Sequence, residues 1–199
     1  DPPPLRTRLV GVATSSKESA AKAKALMGFE VATIDQLSLI DRDDVDIVHI
    51  CTPNDLHREA LLAAMRAGKH IYCDKPLTAT LAEAEEVAAA LKTYKATGQM
   101  TFNYRFLPAT MRARQLVDEG RLGQISHFRG AYLHAGSIDR NRPLNWKADA
   151  SRGGGVLNDL GSHVIDLLGH LLGPLEPMHA VTRVWAKQRF STADPSWKI

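Results

Sequence analysis

The sequence predicts an α/β fold built on a parallel sheet, and three observations predict it. Short apolar runs alternate with Ala-rich or amphipathic stretches over about the first 100 of the 199 residues. Each run stops at a turn or helix-cap signal. Beyond that point the character changes, to a long polar stretch and one strongly amphipathic helix. Strands alternating with helices at this spacing mean βαβ units, and their right-handed crossovers put the strand C-termini on one edge.

Residues 8–14 (RLVGVAT) read as a buried strand that stops at Ser15-Ser16. Residues 18–27 (ESAAKAKALM) read as a helix, with Gly28 as its C-cap. Residues 46–51 (DIVHIC) form a second buried-strand run, stopped by Thr52-Pro53. Asn54 or Asp55 can cap the helix that runs from there to Gly68. Residues 70–73 (HIYC) are a third strand. Thr80 and Glu83 match a capping box before a helix over 81–95. Further on, 108–119 reads as a helix closed by Gly120, and 125–133 (ISHFRGAYL) as a strand. Residues 137–152 read as a loop, and 156–172 as a helix between a triple glycine and Gly173-Pro174. Residues 179–184 suggest another strand, and 191–199 carry no pattern. Ligands of open α/β sheets bind outside the strand C-termini. Ser15-Ser16-Lys17, Thr52-Pro53-Asn54 and Asp74-Lys75-Pro76 all follow strands, so they are expected to line one crevice.

Composition narrows the function class. The chain is 44% hydrophobic and 24% charged, enough for a sizeable core. Its net charge of +3 comes from scattered residues, without the Lys/Arg clusters of a nucleic-acid groove. No apolar stretch approaches the roughly 18–20 residues of a membrane span. The start, Asp1-Pro2-Pro3-Pro4, does not resemble a signal peptide. Two cysteines, Cys51 and Cys73, are too few for a disulfide framework and read as reduced thiols of a cytoplasmic protein.

Two places carry chemistry. On the helix after the glycines, Asp159, His163, Asp166 and His170 form a stripe beside an apolar face of Leu157, Leu160, Val164, Leu167, Leu168 and Leu171. An acid and an imidazole four residues apart can meet one ligand. They can equally form the solvated edge of an amphipathic helix. A metal site on them would need a third ligand, which the neighbouring sequence does not suggest. Lys75 directly follows a strand and is restricted by Pro76. Beside a cofactor it can polarise a hydroxyl or carbonyl oxygen; alone it is also compatible with a surface turn. Thr52-Pro53-Asn54 with His57 reads either as a binding loop or as a turn and cap.

Taken together these fragments are more specific. The string VDIVHICTPNDLHREALLAAMRAGKHIYCDKPL at 45–77, FNYRFLPA at 102–109 and GGGVLNDLGSHVIDL at 153–167 resemble, in order, the family of glucose–fructose oxidoreductase and inositol dehydrogenase, the Gfo/Idh/MocA family. The resemblance implies a Rossmann-type parallel-sheet domain over 1–100 and a C-terminal α+β domain with a mostly antiparallel sheet over 101–199, both incomplete. The family's first strand and Gly-x-Gly-x-x-Gly turn have no counterpart before Arg8, so the sequence is expected to be partial.

The resemblance also implies an activity: hydride transfer between NAD(P) and a hydroxyl-bearing carbon of a sugar, inositol or related polyol. It makes Lys75, Asp159 and His163 the catalytic residues, His163 as general base and Lys75 as stabiliser of the developing alkoxide. It places Cys51, Thr52, Pro53, Asn54, His57, Asp74, Lys75 and Arg105 on the cofactor side. Asp74 stands where the family has Glu, which keeps the charge and shortens the reach. Tyr104, Trp146 and Lys147 join Asp159 and His163 on the substrate side, with selectivity expected in 132–147. Ser15, Ser16 and Lys17 occupy the place where an acid would take the ribose 2′-hydroxyl of NAD. Two hydroxyls and a cation suit a 2′-phosphate, which favours NADP, although Ser15 or Ser16 can simply cap the helix. A homo-oligomer, dimer or tetramer, is also implied. A non-catalytic NAD(P)-binding regulator and an NAD-assisted glycosidase or epimerase share the fold; the presence of Lys75, Asp159 and His163 argues against the first.

Overall fold

The computed structural model describes residues 7–136, 138–139, 141–176 and 179–189. The proline-rich start and the ending at 191–199 lie outside them. The elements run β1 (Gly11–Ala13), α1 (Lys17–Met27), β2 (Val31–Thr33), α2 (Gln36–Ile40), β3 (Ile47–Ile50), α3 (His57–Arg66), β4 (His70–Cys73), α4 (Leu81–Leu91), β5 (Gly98–Met100), α5 (Pro108–Asp118) and α6 (Ser162–Leu172). The chain divides into two compact units. The first holds residues 7–52, 56–73 and 81–99; the second holds 53–55, 74–80 and the described residues from 100 onward.

Local chemistry explains the first unit. Ser16 caps α1 by accepting from Ser19 N at 3.1 Å, and Gly28 ends the helix in the left-handed region at φ 81°. Asp35 caps α2 through Leu37 N and Ser38 N. β1 and β2 pair in parallel, as do β3 and β4, in two sheets of order β1-β2 and β3-β4-β5. Ala60, Leu61 and Ala64 of α3 are buried with Ile50, Ile71 and Cys73 of β3–β4 and Val87 of α4. Small alanines let the helix lie close on the sheet, which is why this part of the sheet carries the core.

The structure corrects several expectations. β2, α2 and β5, only 3 to 5 residues each, carry too little periodicity to be seen in sequence. The helix expected to reach residue 95 ends at Leu91. Asn54 and Asp55 do not cap α3. They lie in or beside a 3₁₀ turn, Asn54–Leu56, and α3 begins without a side-chain cap bond. No strand forms at 125–133 or 179–184, and the described residues after Met100 contain no strand at all. An alternating pattern becomes a strand only where a neighbour completes its hydrogen-bond ladder. The expected loop at 137–152 contains two short 3₁₀ turns, Trp146–Ala148 and Ala150–Arg152. The helix expected from Val156 opens with a π-helical turn, Leu157–Gly161, before α6. No helix among the described residues is long and apolar enough to cross a membrane.

Candidate active site

The second unit folds around its glycines. Gly153, at φ 71°, presents its carbonyl to Asn54 Nδ2 at 2.9 Å and Asn158 Nδ2 at 3.0 Å. Gly154 N and Gly155 N donate to Asp149 O and Lys147 O at 2.8 and 2.7 Å. A β-carbon on Gly153 would lie 2.5 Å from Ala79 Cα, and one on Gly154 would lie 2.6 Å from Trp146 O. The glycines are therefore needed for close approach of the chain to itself. Arg152 Nε pairs with Asp55 Oδ2 at 2.7 Å and ties 53–55 to the same turn.

This scaffold carries the π-turn, an irregularity that often accompanies functional sites. Asp159 lies in it. Lys75 Nζ donates to both the main-chain oxygen of Asp159, at 2.6 Å, and its Oδ1, at 2.7 Å. Lys147 Nζ stands 4.0 Å from the same Oδ1 and 5.6 Å from the Trp146 ring centre. Burial opposes ionisation of Asp159, but the Lys75 hydrogen bond and charge, helped by Lys147 and His163, outweigh it. The carboxyl is held below its ordinary range.

One turn on, His163 is only 8% exposed, and its Nδ1 is buried without a hydrogen-bond partner. Its ring stacks on Tyr104 at 4.5 Å, with Tyr132 at 6.4 Å and the edge of Phe102 at 6.1 Å. Burial, seconded by the Lys75 charge, lowers the His163 pKa; Asp159 and Asp166 oppose this only in part. The imidazole is thus neutral at neutral pH and able to accept a proton. The Tyr104 hydroxyl is pushed above its ordinary value, first by its hydrogen bond to Tyr132 and then by burial, so it stays protonated.

The other residues named from sequence fall in several places. Asp74 accepts from Thr101 Oγ1 at 3.0 Å. Arg105 Nε donates to Asp166 Oδ2 at 2.9 Å, so this guanidinium is committed to a carboxylate whose side chain is almost fully buried. Asn54 is buried on Gly153. His57 is fully buried, its Nε2 2.8 Å from Thr52 O and its Nδ1 3.7 Å from Cys73 Sγ, where it braces the turn after β3. Thr52 Oγ1 is buried without a hydrogen-bond partner. Such an orphan at a strand C-terminus suits a ligand, and with it the first unit fits a dinucleotide. Pro53 follows it, and Cys51 is exposed. Ser15 and Lys17 are exposed, whereas the Ser16 hydroxyl is occupied by its cap. Sequence reasoning did not find the Asn158 and Arg152 anchors, or Tyr132 as a neighbour of His163. Only the long-range fold brings them in.

Comparison with known proteins identifies the family and the fold. Residues 3–102 match the model of the oxidoreductase family with an NAD-binding Rossmann fold, and 110–196 match the Gfo/Idh/MocA C-terminal domain. Levoglucosan dehydrogenase of Pseudarthrobacter phenanthrenivorans is 42% identical over 188 residues, covering 94% of this chain and 48% of that protein. Inositol 2-dehydrogenase of Rhizobium meliloti is 35% identical over 170 residues, covering 83% and 48%. A solved levoglucosan dehydrogenase in complex with NADH and levoglucosan superposes with a TM-score of 0.88 at 40% identity, covering 92% and 50%. The chain therefore spans about half the length of the relatives it matches. With both family models matched in order, and the Lys75–Asp159 pair and His163 gathered in one unit, the chain belongs to the Gfo/Idh/MocA oxidoreductase family.

Proposed function

We propose that this chain carries the catalytic residues of an NAD(P)-dependent dehydrogenase that oxidises a hydroxyl-bearing carbon of a neutral sugar or polyol, with levoglucosan and inositols as the first candidates. The observation that carries this reading is the double hydrogen bond from Lys75 Nζ to Asp159, one turn from a buried, neutral His163. His163 takes the substrate hydroxyl proton as general base. Lys75, oriented by Asp159, stabilises the oxygen as negative charge develops on it. Tyr104, Trp146 and Lys147 face the substrate. When bound, the nicotinamide supplies the hydride acceptor. Thr52, Pro53, Cys51 and Asp74 stand on the cofactor side, with Asn54 and His57 shaping the turn and Arg105 acting through Asp166. Ser15 and Lys17 would meet a 2′-phosphate, so NADP is the proposed preference.

The test is substrate-dependent reduction of NAD⁺ and NADP⁺ by the full-length protein, followed at the NAD(P)H absorbance with levoglucosan, myo-inositol, xylose and glucose. Turnover with at least one of them, lowered by roughly 10²–10⁴-fold in Lys75→Ala, is the expected result. Cofactor binding without turnover on any of these would overturn the reading in favour of a regulator.

A further inference from the structure

The Tyr104, Tyr132 and His163 rings lie nearly parallel. The interplanar angles are 28° for Tyr104–His163, 21° for Tyr132–His163 and 16° for Tyr104–Tyr132. The two phenol oxygens are 2.8 Å apart, a hydrogen bond between residues 28 apart in the chain. Phe102 closes the other approach edge-on, at 84°. An imidazole nitrogen accepts a proton along a lone pair that lies in the ring plane. Whatever fixes the plane of His163 therefore fixes the direction in which it can act as a base. No hydrogen bond to Nδ1 does this. The aromatic stack restrains the ring plane, and offset stacking favours this near-parallel arrangement.

The geometry points to Tyr132 as a positioning residue for His163, acting through its hydroxyl bond to Tyr104. The proposal rests on His163 being the general base. Tyr104 lies directly on the imidazole; Tyr132 stands further off and holds Tyr104 in place. The charged groups around His163 are Lys75, Asp159 and Asp166. Tyr104 and Tyr132 are the titratable rings beside it, and none of the three charges is removed by changing either tyrosine.

The test uses the full-length protein with Tyr132→Phe, which keeps the ring and removes the hydroxyl. With the best substrate of the panel above, kcat is expected to fall about five- to tenfold with KM within about twofold, the signature of a lost orienting contact. In ¹⁵N-histidine NMR, the His163 signals, assigned by their loss in His163→Gln, should shift. Tyr104→Phe should reproduce that spectral change. The double variant should add little to it, because all three break the same hydrogen bond. Unchanged His163 signals in Tyr132→Phe, or fully additive changes in the double variant, would overturn the proposal. If the spectra change as expected but no polyol is oxidised, positioning stands and the dehydrogenase reading falls.

Discussion

Lys75 and Asp159 are 84 residues apart, yet the ammonium sits on two oxygens of the acid at 2.6 and 2.7 Å. That contact leaves Asp159 ionised and Lys75 aimed, and puts their combined field beside His163. Replacing Lys75 or His163 with Ala should each lower turnover by roughly 10²–10⁴-fold in steady-state assays, the span of a lost acid–base group. Calorimetry should show NAD(P) binding retained in His163→Ala. Undiminished turnover in that variant would refute its role as base. The pH dependence follows from the direction of the shift. The base form of His163 is present above its lowered pKa and lost as pH falls through it. The acid limb of kcat/KM for oxidation should therefore have its midpoint below the ordinary imidazole value of about 6.5. A midpoint at or above that value would mean that another group controls the limb. The sequence offered Lys75, Asp159 and His163 as candidates through a strand end before proline, an i, i+4 acid–imidazole pair and the family resemblance, all of them local patterns. Tyr132 was not, because its only distinguishing feature is a partner 28 residues away.

At the scale of elements, the helices were read closely and the short strands were not. Capping residues such as Ser16 and Gly28 act on their own helix and can be seen one at a time. A three-residue strand such as β2 exists only through its pairing with β1. The glycine turn lies between these cases: the sequence shows that the backbone must come close to something, and the structure shows that it is Ala79 and the 146–149 turns. Gly153→Ala combines a left-handed φ with a β-carbon 2.5 Å from Ala79 Cα. It should destabilise by more than about 1 kcal/mol, read as a lower Tm, and should reduce turnover because 74–80 must shift. An unchanged Tm would show that the turn can relax elsewhere.

At the scale of the whole molecule, the strands form two groups, β1-β2 and β3-β4-β5, in which β1–β2 and β3–β4 pair in parallel. The C-termini of β1 and β3 carry Ser15-Ser16-Lys17 and Thr52, which the cofactor reading uses. The Ser16 hydroxyl caps α1, so on the proposed reading discrimination between cofactors would fall to Ser15 and Lys17. Calorimetry on the full-length protein should find NADP bound more tightly than NAD, and Lys17→Ala should erase the difference. Equal or tighter NAD binding would reverse the assignment and leave Ser15-Ser16-Lys17 as a helix start only.

By itself the sequence determined the α/β class, most helix boundaries and the family, and it named the candidate residues of the proposed chemistry. All of these are written in periodicity, caps and short motifs that act over a few residues. The tertiary structure decided the rest. It turned Asn54 inward onto Gly153, committed Arg105 to Asp166, buried His57 under its own turn and stacked two tyrosines on His163. It also left 125–133 without a strand partner among the described residues. These outcomes depend on contacts between residues far apart in the chain, and no local pattern encodes which distant partner a side chain will meet.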